Sequence, residues 1–406
     1  MSREGNQKMV IWIVAISLVA IILVVAAIMF GQQDGPPTFS TSFGTGKPGK
    51  DVGEFNSPVG VTVAPQGSVF VLESKLSRVQ RLDVEGKTLD QWGSLGTKER
   101  QFDEPMRLAA DSGGNLWIAD TGNHRIQWFS AAGEFQGAFG QRGGEPGEFS
   151  HPIGLAFDSN NNLYVADCLN HRIQKIGRQL NVLQVYPEKP DKSSAIGFLD
   201  SPWGVATDPQ DTVYVADTGN NRIVRFANDG RYLDSFGSKG TGDGQFNGPK
   251  ALAFDIDGNL VVVDSGNNRL QKFTPQGKFM YAWGQQGNAG GMFYNPQQVA
   301  VASDGTMYIA DSGNHRVQKF LPRRKRNTTT SPLVGPTRPV FQPDNRVGNP
   351  DQLPPAQGIP DDSAPAPSQL ATAVPTPSTA AVPESSSSPA PLDPGLLEPE
   401  PGSNEI

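Results

Sequence analysis

The sequence predicts an all-β protein built around a six-bladed β-propeller, and three observations support this fold class. First, a six-residue segment recurs at steps of 47, 47, 50, 47 and 47 residues, and a fixed period in this range means one supersecondary unit repeated. Second, short apolar segments alternate with clusters of Gly, Asn, Asp and Ser, as hairpins require. Third, four short strands and four connections fill one period. Repeated four-stranded sheets of that size are typical of a propeller.

The second repeat shows the predicted strands most plainly. Its recurring segment is Asp120–Arg125, which reads Asp-Thr-Gly-Asn-His-Arg. The four strands predicted around this segment are Arg107–Asp111, Leu116–Ala119, Arg125–Phe129 and Glu134–Phe139.

The last repeat lacks a fourth strand, because Phe320 is followed at once by Pro322 and a basic segment. The stretch Phe39–Gly44, ahead of the first repeat, carries the missing pattern. We therefore expect Phe39–Gly44 to complete the sixth blade, which closes the ring and leaves no open sheet edge.

Residues 9–30 form an apolar run with Ser17 as its polar member, long enough to cross a bilayer core as a helix. A cleaved signal peptide is the alternative, but its apolar core is usually only about 7–15 residues long. Arg3 and Lys8 precede the run, so the positive-inside rule places residues 1–8 in the cytoplasm and the propeller outside. The sequence thus predicts a single-pass membrane protein with an uncleaved anchor.

The parts of the chain differ in composition. The propeller, residues 38–322, carries 26 Lys and Arg against 30 Asp and Glu, so it lacks the basic character of a general nucleic-acid binder. Residues 323–406 are rich in Pro, Ser and Ala and are predicted to be disordered. A single cysteine, Cys168, excludes an intramolecular disulfide and a cysteine-based metal cluster.

The repeats share the pattern Pro-x-Gly-(Ile/Val/Leu)-Ala, then Leu-Tyr-Val-Ala-Asp, then Gly-Asn-His-Arg-Ile-Gln-Lys-Phe. This pattern resembles the NHL-repeat family of β-propellers over residues 38–322. The resemblance implies the fold. For activity it allows adaptor and RNA-binding modules, extracellular sensor domains of membrane kinases, and a metal-dependent lyase of amidated peptides.

The acid and the arginine of the recurring segment persist where the residues between them change. Blade one has Lys75 and Leu76 in place of Gly and Asn, and blade three has Leu169 in place of Gly. We therefore predict that acid and arginine form an ion pair in every blade and fix the hairpin rather than bind a ligand. The predicted pairs are Glu73 with Arg78, Asp120 with Arg125, Asp167 with Arg172, Asp217 with Arg222, Asp264 with Arg269, and Asp311 with Arg316.

Histidines occupy one repeat position in three blades, as His124, His171 and His315. A catalytic zinc needs about three protein ligands, but these three imidazoles lie on different blades and would have to reach inward to meet. Asp255–Asn259 is similar to the start of a calcium loop, yet the twelfth position is Gly266 rather than Glu. The sequence therefore assigns no metal site, no cofactor and no catalytic residue.

The connection Tyr186–Asp200 between blades three and four is longer and more charged than the others. It carries Glu188, Lys189, Asp191 and Lys192, which we take as the candidate partner-binding residues because function concentrates in irregular loops on rigid scaffolds. Strand parity places all the blade connections and all the Asp-x-Gly-Asn turns on one face, and the loops near Asn160 and Gly230 on the other. We expect the partner on the first face.

The function predicted from these features is a membrane-anchored, extracytoplasmic module that binds a protein or small ligand. Two alternatives stay open. One is a metal-dependent lyase or hydrolase with its site on the propeller axis, and the other is a structural scaffold or spacer at the cell surface.

Overall fold

The computed structural model describes residues 35–187 and 198–323. These belong to the first of the two units into which the chain divides, Met1–Thr329 and Thr330–Ile406. The predicted anchor at 9–30, the tail beyond residue 323, and the candidate residues Glu188, Lys189, Asp191 and Lys192 lie outside the described residues. Within the described ranges, no helix has the length and apolar character needed to span a membrane.

The described residues form six four-stranded antiparallel sheets, which are the predicted blades. The first strand of the chain is β1 (Thr38–Phe43). Blade one is β2 (Pro58–Val63), β3 (Val69–Glu73), β4 (Arg78–Leu82) and β5 (Thr88–Trp92), followed by the short strands β6 (Ser94–Leu95) and β7 (Gln101–Phe102). Blade two is β8 (Arg107–Ala110), β9 (Leu116–Asp120), β10 (Arg125–Phe129) and β11 (Phe135–Phe139). Blade three is β12 (Pro152–Phe157), β13 (Leu163–Asp167), β14 (Arg172–Ile176) and β15 (Val182–Tyr186).

The remaining blades repeat this order. Blade four is β16 (Pro202–Thr207), β17 (Val213–Asp217), β18 (Arg222–Phe226) and β19 (Tyr232–Phe236). Blade five is β20 (Pro249–Phe254), β21 (Leu260–Asp264), β22 (Arg269–Phe273) and β23 (Phe279–Trp283). Blade six is β24 (Pro296–Val301), β25 (Met307–Asp311) and β26 (Arg316–Leu321), with β1 as its outer strand. Single 3₁₀ turns at Cys168–Asn170, Ser265–Asn267 and Ser312–Asn314 follow the second strands of blades three, five and six.

The closure predicted for Phe39–Gly44 is confirmed. β1 pairs antiparallel with β26, from Thr38 opposite Leu321 to Phe43 opposite Val317. Phe43 is 5% exposed and packs against Tyr308 with the ring centroids 6.0 Å apart. The strand nearest the amino end therefore completes the blade nearest the carboxyl end.

The core lies between blades rather than within one. We call the contact between two neighbouring blades the seam. One large apolar residue near the end of each connection lies in a seam and is completely buried: Phe55, Phe102, Phe149, Leu199, Phe246 and Phe293. The seam phenylalanine also explains the glycine that ends the fourth strand. Gly140 has φ +94°, and a Cβ on it would lie 2.4 Å from the Phe149 ring, so no other residue fits at this point.

The first strands of successive blades contact one another around the axis, so β2, β8, β12, β16, β20 and β24 are the inner strands. The turn after each second strand meets the connection that leads into the same blade, as where Gly122 N–H donates to Asp103 O at 2.8 Å and Gly266 N–H donates to Asn247 O at 2.9 Å. Turns and connections therefore share one face, as parity predicted. We call this the connection face.

Candidate ligand site at the propeller axis

Every blade contains the predicted acid–arginine contact. The arginine Nε lies 2.6 to 2.8 Å from a carboxylate oxygen in all six blades. The acid side chains are completely buried, and those of the arginines are only 9 to 18% exposed. These charges are therefore used within the fold.

Each buried carboxylate also accepts hydrogen bonds from groups other than its arginine. In blade two, Asp120 accepts hydrogen bonds from the Asp103 N–H at 2.8 Å, Asn123 Nδ2 at 3.0 Å, Arg125 Nε at 2.7 Å and Gln127 Nε2 at 2.9 Å. The first of these donors belongs to the connection from the preceding blade. The carboxylate thus joins its own hairpin to the seam, and a fully paired buried charge of this kind is a structural group.

A glutamine two residues after the arginine clamps the connection in five blades. Gln127 Nε2 donates to Gln101 O at 2.7 Å, and its Oε1 accepts from the Arg100 N–H at 3.1 Å. The equivalent glutamines make the same type of contacts: Gln80, Gln174, Gln271 and Gln318. Blade four has Val224 at this position, completely buried. Blade four follows the connection Tyr186–Asp200.

The repeat-position histidines hold neighbouring blades together. His124 Nδ1 accepts from the His151 N–H at 3.2 Å, His171 Nδ1 from the Ser201 N–H at 3.1 Å, and His315 Nδ1 from the Ser57 N–H at 3.0 Å. In blades four and five the Oδ1 atoms of Asn221 and Asn268 accept in the same way. His and Asn alternate at this position because both present an acceptor to the next blade. Burial lowers the pKa of His124 and His315, which favours the neutral, accepting form.

A fourth histidine, His151, lies edge-on to His124 with the ring centroids 4.8 Å apart. In the described part of the chain, no three His, Cys, Asp or Glu side chains are arranged to hold a metal ion. The calcium-like segment is an ordinary turn: Asp255 Oδ1 accepts from the Asp257 and Asn259 N–H groups, and Oδ2 lies 2.6 Å from Lys272 Nζ. Burial raises the pKa of the Cys168 thiol to about 12, which makes it inert.

The axis presents a different arrangement of charge. The residue after the proline that begins each blade lies at the connection-face end of an inner strand, and we call this ring the axial mouth. Its members are Val59, Met106, Ile153, Trp203, Lys250 and Gln297. The next residue is Gly, Ala or Gln in five blades and Arg107 in blade two.

Arg107 and Lys250 are cations without a carboxylate. Arg107 is 2% exposed and donates to three backbone carbonyls, Val59 O at 2.9 Å, Met106 O at 3.0 Å and Gln297 O at 2.7 Å. Lys250 Nζ lies 4.3 Å from the centre of the Trp203 ring and donates to Gln297 Oε1 at 3.2 Å. Among the described residues, no acidic oxygen lies within 4.0 Å of either cation.

The electrostatics agree with this geometry. Burial lowers the pKa of the Arg107 guanidinium to about 9. Burial, with a smaller contribution from the charge of Arg107, lowers the pKa of Lys250 to about 8. Both groups remain protonated at neutral pH, so the axial mouth carries uncompensated positive charge.

Comparison with known proteins identifies the repeat. The family model described as the NHL repeat matches residues 102–129, 149–176, 199–226, 246–273 and 293–320. The chain is an NHL-repeat protein. Each match in this NHL-repeat protein runs from a seam residue to the end of a third strand, and blade one, whose turn contains Lys75 and Leu76, lies outside the five matches.

Solved structures give the same fold. A structural genomics protein of unknown function from Bacteroides thetaiotaomicron is 18% identical, over 70% of this chain and 74% of that one, with a TM-score of 0.56. A protein proposed to be a gluconolactonase is 13% identical, over 70% and 93%, with a TM-score of 0.52. A streptogramin B lyase is 17% identical, over 69% and 96%, with a TM-score of 0.49. At these identities the first two likenesses show the fold alone. No curated protein matches the chain.

Proposed function

We propose that this NHL-repeat protein is a membrane-anchored, extracytoplasmic binding module that takes a protein or small ligand on its connection face. The observation that carries the proposal is the pair of uncompensated cations, Arg107 and Lys250, at the axial mouth. A buried cation without a counter-charge costs several kcal/mol, by order of magnitude. Such a cost is understandable where an external partner supplies the missing charge.

The connection between blades three and four supports the same face. It enters blade four immediately before Trp203, the mouth residue over which Lys250 lies. It is also the connection whose blade carries Val224 instead of the clamping glutamine. A long, charged connection in the sequence of an otherwise regular ring is a typical location for recognition.

Cysteine labelling tests the proposed topology. Cys168 is replaced by Ser, the hydroxyl type found in other blades, and a single cysteine is then introduced as Ser238→Cys, at an exposed position, or as Ser2→Cys. A membrane-impermeant maleimide should label the Ser238→Cys chain in intact cells and the Ser2→Cys chain only after permeabilisation. The opposite order would overturn the orientation.

Crosslinking of the full chain in cells, followed by hydrogen exchange on the purified complex, tests the binding face. We expect protection at connection-face amides such as Gly122, Gly219 and Gly266. Protection confined to the turns at Asn160 and Gly230 would place the partner on the face opposite the connection face and would contradict the proposal. Loss of crosslinking on deletion of the tail alone would favour the scaffold alternative.

A further inference from the structure

The axial cations specify the chemistry of the ligand. We propose that Lys250, backed by Arg107, binds a single carboxylate group at the axial mouth. The inference rests on the proposed function, because it names what the connection face recognises.

The charge argument compares the axial cations with the repeat arginines. Each repeat arginine has a completely buried carboxylate at 2.6 to 2.8 Å. Arg107 is also buried, and its partners are three backbone carbonyls, whose dipoles offset part of one unit charge, and the Trp203 ring, whose centroid lies 6.0 Å from Cζ. Lys250 adds a second positive charge. It lies close enough to Arg107 for the arginine's charge to help lower the pKa of Lys250. One monoanion would neutralise one of the two charges, and the carbonyl dipoles offset part of the other.

The accessibility argument separates the two cations. Arg107 is buried at 2% exposure and cannot meet a large ligand directly. Lys250 is partly exposed, and its hydrogen bond among the described residues is the one to Gln297 Oε1. An ammonium group has three donors; with one on Gln297 and the ammonium lying against the Trp203 ring, at least one donor remains for an incoming oxygen. Lys250 therefore contacts the carboxylate directly, and the charge of Arg107 attracts the carboxylate without touching it.

The surroundings favour a carboxylate over a phosphate. The carbonyl oxygens of Val59, Met106 and Gln297 converge on Arg107 and would repel a dianion. The other members of the ring are apolar or neutral, namely Val59, Met106, Ile153, Trp203 and Gln297, and two of these, Trp203 and Gln297, contact Lys250. A carboxylate with one negative charge and an apolar stem fits this mixture, as in a glutamate side chain of a partner or a small organic acid.

Residue-resolved lysine acylation tests the proposal on the unmodified full chain. The rate of acetylation at each lysine is measured by mass spectrometry with increasing N-acetyl-Ala-Glu-Ala amide, its Gln counterpart, acetate, or inorganic phosphate. At ten times Kd a site is about nine-tenths occupied, so the Lys250 rate should fall about tenfold with the glutamate peptide. The rates at Lys239 and Lys278, both exposed, should not change.

The arms of the experiment separate the possible results. Tighter protection by the glutamate peptide than by acetate identifies a partner polypeptide as the source of the carboxylate, and equal protection identifies a free acid. Protection by the Gln peptide, equal protection at Lys239, stronger protection by phosphate, or no protection at Lys250 would each overturn the carboxylate site. As a second measurement, a fluorescein-labelled glutamate peptide should bind the full chain and lose at least about tenfold in affinity to the Lys250→Met chain.

Different results would contradict the proposed function and the carboxylate site. Carboxylate protection of Lys250 in a chain whose cellular partner lies on the opposite face overturns the binding face and keeps the carboxylate site. A partner on the connection face without carboxylate protection keeps the binding face and overturns the carboxylate site.

Discussion

At the scale of single residues, each of the six buried acids has a counter-charge in the fold, whereas the two axial cations have none among the described residues. An acid such as Asp120 has a counter-charge and three further donors, so its charge belongs to the fold. Arg107 has no acidic partner among the described residues, so its positive charge is not neutralised. The pairing was predictable because acid and arginine persist together through the repeats. Two of the further donors were not, since one comes from the connection and the other is a glutamine outside the recurring segment.

Removing one buried acid should destabilise the ring. In the Asp120→Asn chain, Arg125 loses its counter-charge, and breaking a buried ion pair from one side costs about 3 kcal/mol. Urea unfolding measures the change. Asp243→Asn, at an exposed acid on the same face of the ring, should change the free energy of unfolding by no more than about 0.5 kcal/mol. Equal effects in the two variants would contradict a stabilising role for the pairs.

The histidine contacts predict a pH dependence. The pKa of His124 and of His315 is lowered in the folded chain, mainly by burial, so their stabilising contribution is present above the unfolded pKa of about 6.5. The contribution is lost as the pH falls below that value, because a protonated Nδ1 no longer accepts the backbone N–H. The loss should be about 0.5–1.5 kcal/mol per histidine.

Asparagine at the same positions provides the matched control. Asn221 and Asn268 already make this contact through Oδ1, which does not titrate. A chain with His124→Asn and His315→Asn should therefore lose less stability than the wild type when urea unfolding is compared at pH 7 and pH 5. An identical loss in both chains would show that the imidazoles do not carry the pH dependence.

At the scale of elements, the blades differ in what they offer to the preceding connection. Five blades clamp it with a glutamine, and blade four, which follows the connection Tyr186–Asp200, has Val224 at this position. Sequence alone pointed to this connection by its length and charge. The missing clamp was also visible in the sequence, as a valine in a column of glutamines, but its meaning required the contacts of Gln127 and its equivalents.

Introducing the clamp should slow hydrogen exchange in this connection. In the Val224→Gln chain, the new Nε2 can reach Asp217 and Phe198 O, the counterparts of the acceptors that Gln127 uses. The amide of Asp200, which donates to Asp217 Oδ1, should then exchange more slowly. The reverse change, Gln271→Val, should speed exchange at Gly244, whose N–H loses its acceptor. Unchanged exchange in both chains would contradict the clamp.

At the scale of the whole molecule, the repeat made the fold predictable and hid the candidate site. The period of 47 residues and the additional strand pattern at Phe39–Gly44 were enough to predict six blades and their closure. Arg107 and Lys250 stand at adjacent repeat positions in blades two and five, and each is an exception in its column. Comparing the repeats could have shown both exceptions. Their common position near one axis depends on the closed ring, which no local pattern describes.

Ring closure itself can be tested by separating the strand from its blade. Deleting residues 38–44 removes the hydrogen bonds from β1 to β26, each worth about 0.5–1.5 kcal/mol, and exposes Val317 and Phe320. We expect a lower Tm for the deleted chain. A synthetic peptide of residues 36–46 should restore the Tm in a saturable manner, and a scrambled peptide should not. An unchanged Tm on deletion would contradict the role of the strand.

The pairing of Thr38 with Leu321 also has a mechanical consequence. The chain enters and leaves the ring at the same end of one antiparallel pair, so tension applied between residues 35 and 323 loads the hydrogen bonds between β1 and β26 in succession instead of all together. A ring tethered at its amino end and pulled at its carboxyl end would unzip at blade six first, with the other five blades still folded. The closure strand would then act as a force-sensitive latch that reseals when the tension falls.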